Sequence, residues 1–181
     1  PIIGYGHPTL RKVAQPIDKN YPDLPQLIDN MFETMYHAYG VGLAAPQVDL
    51  PIRIVVIDAD PMKETYPDGT GFRKYFINPV IIEESGEPWA YNEGCLSLPE
   101  LHEDVYRKPV IKVKYQDLDF NEYEEEFSGI RARVIQHELD HLEGKVFIDR
   151  LSPLRKTLLK RRLKDLSDGK IRTSYRMKYA K

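Results

Sequence analysis

Cysteine is nearly missing. Cys95 is the one thiol in 181 residues, so no disulfide can close within the chain and a disulfide-stapled scaffold is excluded. Long apolar runs are missing too: a stretch such as Ile54-Val55-Val56-Ile57 falls far below the ~20 residues of a membrane-spanning helix. Pro1 to His7 has no basic region leading into an apolar stretch, so no secretory signal is expected, and a reducing cytoplasm is the simplest setting. Internal repeats, low-complexity tracts and a dividing linker are likewise absent from the sequence. Net charge is small, −2 from 26 Lys+Arg and 28 Asp+Glu. With 41% apolar and 30% charged residues, the composition is that of a folded globular chain, and one domain over residues 1–181 is expected.

The charge that is present is unevenly placed. Leu151 to Lys181 holds 11 Lys/Arg against Asp165 and Asp168, a balance of +9, while the other 150 residues balance at −11. A cationic tail on an acidic body points to a polyanionic partner for the tail.

Leu24, Leu27, Ile28, Met31, Met35 and Ala38 recur at helical spacing, which predicts a helix over Leu24–Tyr39. Asp23 is placed to cap its start, Pro25 suits its first turn, and Gly40 is placed to end it in a left-handed cap. Ile52–Asp58, Tyr75–Glu83 and Pro88–Asn92 read as strands, and Val110–Tyr115 with Glu122–Phe127 as a hairpin. Asp60–Arg73, polar and rich in Pro and Gly, reads as a surface loop. A helix follows over about Gly129–Glu143, and Ser152-Pro153 opens a last one with Leu154, Leu158 and Leu166 as its apolar stripe. Strands in the middle and helices at the ends make an α+β arrangement.

The chemistry sits in Gln136-His137-Glu138-Leu139-Asp140-His141. Residues four apart share a helical face at ~5–6 Å between Cβ atoms, so His137 and His141 can reach one metal ion. Glu138 points off that line and is free to act as acid and base on an activated water. No Glu, His or Cys follows Glu143, so a third ligand must come from upstream, where Cys95, His7, His37 and His102 are the candidates. Cys95 is the best of them: a thiolate and two imidazoles make a three-ligand site with an open position, suited to Zn²⁺ or Fe²⁺. A small zinc endopeptidase shares the two-His-plus-Glu helix. A non-catalytic metal module with a polyanion-binding tail is the rival from another class, although such sites are closed by four protein ligands and no fourth is evident.

Gly40-Val41-Gly42-Leu43-Ala44-Ala45-Pro46-Gln47, Glu93-Gly94-Cys95-Leu96-Ser97 and Gln136-His137-Glu138-Leu139-Asp140-His141-Leu142-Glu143-Gly144 resemble, in order and spacing, the three signature motifs of peptide deformylases. His7-Pro8-Thr9-Leu10-Arg11 and Ser152-Pro153-Leu154 extend the resemblance over nearly the whole chain. The basic, leucine-rich C-terminal helix is similar to the subtype with a helical rather than a sheet-forming tail. One departure is Asp49, two residues after the motif Gln47, where the family usually has Gly.

The resemblance implies antiparallel sheets packed around a central metal-binding helix, with an N-terminal and a C-terminal helix. It implies removal of the formyl group from the N-terminal formyl-methionine of newly made polypeptides. Cys95, His137 and His141 would hold Fe²⁺, with Zn²⁺, Ni²⁺ or Co²⁺ as substitutes. Glu138 would shuttle the proton, and the Gln47 amide and the Leu96 N–H would stabilise the oxyanion. Gly42 would let an extended peptide lie flat, beside Glu93 and Gly94. Val41, Tyr91, Ile130, Val134 and His137 are the candidates to line a methionine-sized pocket. Arg107 and Glu93 are paired as a buried ion pair holding the cysteine turn, with Asp140 behind the metal ligands. The tail, through Lys156, Lys160, Arg161, Arg162 and Lys164, would dock a monomeric enzyme on the ribosome.

Overall fold

A computed structural model describes residues 1–180. In order, the chain forms β1 (Ile2–Ile3), α1 (Leu24–His37), β2 (Gly42–Ala44), β3 (Ile54–Asp58), β4 (Arg73–Ser85), β5 (Trp89–Cys95) and β6 (Leu98–Arg107). It continues through β7 (Val110–Gln116), β8 (Glu122–Ser128), α2 (Gly129–Leu142), α3 (Pro153–Leu158), α4 (Lys160–Ser167) and β9 (Met177–Lys178). Strands β2-β3-β4-β7-β8 form an antiparallel sheet, β5 and β6 an antiparallel pair, and β1 and β9 a short parallel pair. The mixed helix and antiparallel-sheet architecture is the α+β arrangement expected from the order of elements.

The apolar run in β3 explains how the layers stack. Successive side chains of a strand point to opposite faces, and here both faces are covered. Val55 and Ile57 pack with Ile135, Leu139 and Leu142 of α2, whereas Ile54 and Val56 pack with Ile28, Met31 and Met35 of α1. A third cluster joins Leu98, Leu101 and Val105 of β6 to Phe147, Leu159 and Leu166. Arg133 of α2 donates to the Val105 and Trp89 carbonyls of β6 and β5, so α2 lies between the large sheet and the β5–β6 pair.

Several expected details differ. Asp23 makes no side-chain cap on α1 and is itself left-handed at φ 52°. At the other end the left-handed residue is Tyr39, φ 57°, not Gly40. Its N–H donates to the Tyr36 carbonyl (3.0 Å) and the Gly40 N–H to that of Met35 (3.0 Å), a Schellman ending shifted by one residue. Gly40 is required for closeness instead, because a Cβ there would lie 2.7 Å from Leu96 Cδ1 in the cysteine turn.

Strand β6 was invisible to an alternation reading because two of its inward positions are charged. Leu101, Glu103, Val105 and Arg107 are all buried, and Glu103 accepts from Arg155 (2.7 Å). The last helix is also broken, at Leu159, into α3 and α4. Leu154 and Leu158, expected on its apolar stripe, are 71% and 65% exposed, and only Leu166 of that stripe is buried. Beyond these helices the tail returns as the two-residue strand β9, parallel to β1.

The Asp60–Arg73 loop carries two short 3₁₀ turns, Asp60–Met62 and Pro67–Gly69, and it has a job. Ser128 gives no side-chain cap to α2, and Asp68 Oδ2 accepts the Ile130 N–H at 2.8 Å in its place. Asp68→Ala should therefore lower the unfolding free energy by about 1 kcal/mol, the usual worth of an N-cap, read as a lower urea midpoint.

Asp49, standing where a glycine was expected, is left-handed at φ 67°. Asp tolerates that conformation better than most residues, and its carboxylate ties down two other segments. Oδ1 accepts from Thr9 Oγ1 (2.6 Å) and Oδ2 faces Lys178 Nζ (3.3 Å).

Candidate metal centre and active cleft

Helix α2 brings His137 and His141 to one face, and the end of β5 lays Cys95 across from them. One ligand atom from each of Cys95, His137 and His141 lies within 4.8 Å of the others. Cys95 Sγ is 3.5 Å from His141 Nε2. Of the other candidate third ligands, His7 caps the Pro8–Arg11 turn, accepting from the Thr9 N–H at 3.2 Å, and His37 is exposed beside Glu33. His102 stands over Gly94 at the rim of the cleft.

The imidazoles are held from behind. Glu93 is buried, and its Oε1 faces His137 Nδ1 at 2.9 Å. A carboxylate only accepts, so Nδ1 carries the proton and Nε2 is left as the ligand atom. Glu93 also accepts from Arg107 Nε (2.7 Å) and Arg133 Nη1 (2.9 Å). Arg107 reaches on to Asp140 (2.8 Å), which takes two bonds from Arg150 at 2.7 Å each. The Arg107–Glu93 ion pair expected under the cysteine turn is thus present and buried, and Glu93 spends its oxygens on arginines and His137. Burial acts against its charge, but the bonds from His137 and Arg107 hold Glu93 far below the ordinary carboxylate range.

Glu138 is in the opposite situation. Burial pushes its carboxyl up to about 7, with the charge on His137 opposing, and Oε2 is buried with no partner. Gly42 opens the space for it, since a Cβ at that position would lie 2.6 Å from Glu138 Oε1. Gln47 Oε1 accepts the Ala44 N–H (2.9 Å), which turns its NH₂ toward Ser97 Oγ (3.1 Å) and Cys95 Sγ (3.5 Å).

The donor set fits a divalent cation. Burial pushes His141 down to about 3, keeping it neutral as a ligand must be. His137 is raised despite burial, because Cys95 and Glu93 both draw positive charge to it. Cys95, His137 and His141 could hold a cation, which would supply that charge.

Around these groups runs a cleft of about 670 Å³. Val41, Gly42, Gln47, Tyr91, Glu93, Gly94, Cys95, Leu96, Val134, His137 and Glu138, all expected from the sequence, line it. Ile130 does not: it faces the core between α2 and the large sheet. Sequence reasoning missed Arg133, one helical turn before His137, which the same i, i+4 spacing would have found. It also missed Arg172 to Tyr175, which line the cleft from the far end of the chain and carry no local signal.

Fold and site together define an enzyme of the hydrolase class whose site is equipped for a metal. Residues 1–157 match the model of the family described as polypeptide deformylase. The chain belongs to this family. It is 54% identical to a peptide deformylase of Flavobacterium johnsoniae, over 99% of this chain and 95% of that one. It is similar in structure to the peptide deformylase of Thermotoga maritima, with TM-score 0.76 and 44% identity over 84% of this chain and 97% of that one. The peptide deformylase of Plasmodium falciparum gives TM-score 0.83 at 32% identity, over 93% and 96%. No helix among the described residues is long and apolar enough to cross a membrane.

Proposed function

We propose that this chain, as one domain, removes the formyl group from N-terminal formyl-methionine of newly synthesised polypeptides in the cytoplasm, using Fe²⁺ held by Cys95, His137 and His141. The observation that carries the reading is the convergence of that triad with the partnerless Glu138 Oε2, where Cys95, His137 and Glu138 line one cleft and His141 is buried beside them. Cys95, His137 and His141 would hold a divalent ion, which when bound would supply Lewis acidity to a water near neutral pH. Glu138 takes the proton of the attacking water and delivers it to the departing amine, a double role that a carboxyl poised near neutrality performs well. The Gln47 NH₂ and the Leu96 N–H donate to the developing oxyanion. The substrate backbone adds along β2, an edge of the large sheet, where Val41 and Gly42 line the cleft. Val41, Tyr91 and Val134 take the methionine side chain.

Two imidazoles and a thiolate accept both Fe²⁺ and Zn²⁺. Protein prepared with Fe²⁺ without oxygen should hydrolyse formyl-Met-Ala-Ser faster than the Zn²⁺ form, and chelation should abolish turnover of both. Equal rates would remove iron from the proposal; cleavage of unformylated internal bonds would replace it with the endopeptidase reading. Gln47→Met should lower kcat about a hundred- to thousandfold with little change in KM, as loss of one oxyanion donor does.

The basic helix supports docking on the ribosome. Lys156, Lys160 and Arg161 are exposed beside Leu154 and Leu158. Co-sedimentation with ribosomes that does not weaken as salt rises would count against it.

A further inference from the structure

The tail that lines the cleft lies beyond residues 1–157 matched by the family model, although the Flavobacterium johnsoniae relative aligns over 99% of the chain. It is firmly placed. Strand β9 pairs with β1, the Gly4 N–H donates to the Lys178 carbonyl (2.8 Å), and Lys178 faces Asp49 (3.3 Å). Tyr175 and Met177 pack against the α1 cluster. This anchoring presents Arg172, Thr173, Ser174 and Tyr175 to the cleft.

Tyr175 crosses to the cysteine turn, where its hydroxyl donates to the Leu96 carbonyl at 2.7 Å. The same turn is held on its other side by the Tyr5 N–H, which donates to the Ser97 carbonyl (2.9 Å), and by Gln47 on Ser97 Oγ (3.1 Å). Leu96 thus lies between a metal ligand and a residue bound by Gln47, and the tail fixes its peptide. Arg172 is exposed and makes no ion pair among the described residues. It shares the cleft lining with Glu100 and His102, and Arg162 donates to the backbone carbonyl of Glu100. The inward charges, Glu93, Arg133 and Glu138, are buried.

We propose that Arg172–Tyr175 is a working wall of the peptide cleft. Tyr175 is a positioning residue for the Cys95–Leu96–Ser97 turn, and Arg172 reads the charge of the peptide downstream of the formylated methionine. The inference rests on the deformylase reading and adds a specificity element to it. A hydroxyl that holds the turn acts on the transition state more than on binding. Tyr175→Phe should therefore lower kcat on formyl-Met-Ala-Ser about fivefold while KM stays within twofold, the size expected for one hydrogen bond. Arg172→Glu should shift the KM ratio between formyl-Met-Ala-Asp and formyl-Met-Ala-Lys by roughly fivefold toward the lysine peptide, an effect that fades with salt.

Titration calorimetry with the unformylated product Met-Ala-Asp gives a readout without turnover: its affinity should fall in Arg172→Glu and not in Tyr175→Phe. A wild type that turns over the formyl peptide while both variants match it overturns this inference alone. A Tyr175→Phe loss equalled by a loss of folded protein, read by thermal unfolding, overturns it too. A wild type that turns over no formyl peptide overturns the enzyme reading and this inference together.

Discussion

Glu138→Gln should lower kcat on formyl-Met-Ala-Ser by a factor of about 10²–10⁴, the range for losing a positioned acid/base, while the bound metal stays at the wild-type level. The physical case is the contrast between two buried carboxylates, Glu93 on β5 and Glu138 on α2. Glu93 is surrounded by arginines and stays ionised, so it has no affinity for a proton to transfer. Glu138 is buried with one oxygen unpartnered, which brings it to about 7 and makes proton uptake and release comparable in free energy. An amide has the same shape and can neither take nor give that proton. Metal analysis alongside the kinetics separates the roles: loss of metal with activity would make Glu138 a ligand, and retained activity would remove it from the chemistry.

The second large effect is expected on stability. Glu93→Ala should lower the unfolding free energy by roughly 3–5 kcal/mol, because it strands Arg133 in the interior without its counter-charge and leaves the buried Arg107 with Asp140 alone. For a chain of this size that is a fall in Tm on the order of 10 °C. Metal affinity should fall with it, by about 10- to 100-fold, since His137 loses the carboxylate that sets its tautomer. The control is an exposed pair: breaking Lys164–Asp168, whose lysine is 71% exposed, should move Tm little. A Glu93→Ala protein that melts within 2 °C of wild type would mean that water or a shifted arginine compensates the loss.

Why some of this was legible in the residues and some was not follows from the range of each interaction. The α2 ligand pair was legible because i, i+4 spacing on a helix is a local property. So was the β7–β8 hairpin, whose turn chemistry lies within the pair itself. Strand β6 was hidden because Glu103 and Arg107 occupy inward positions that are normally apolar, and partners on other elements, Arg155 for Glu103 and Glu93 with Asp140 for Arg107, make those positions tolerable. The left-handed Tyr39 was hidden because Gly40 is the residue one would choose for that backbone. Its absence of Cβ is used instead for contact with Leu96.

By itself the sequence determined the metal-binding helix, the carboxylate beside it, the edge segment Val41–Gly42 and the order of the three motifs, all of which depend on residue type at short spacing. The choice of Cys95 as third ligand also followed from the sequence, since no Glu, His or Cys lies beyond Glu143. Tertiary structure alone decided that Asp68 caps α2 from a distant loop, that Ile130 turns to the core, and that the returning tail lines the cleft. Those contacts join segments far apart along the chain. The free energy that selects them comes from burial and charge pairing in three dimensions, which leaves no periodic trace in one.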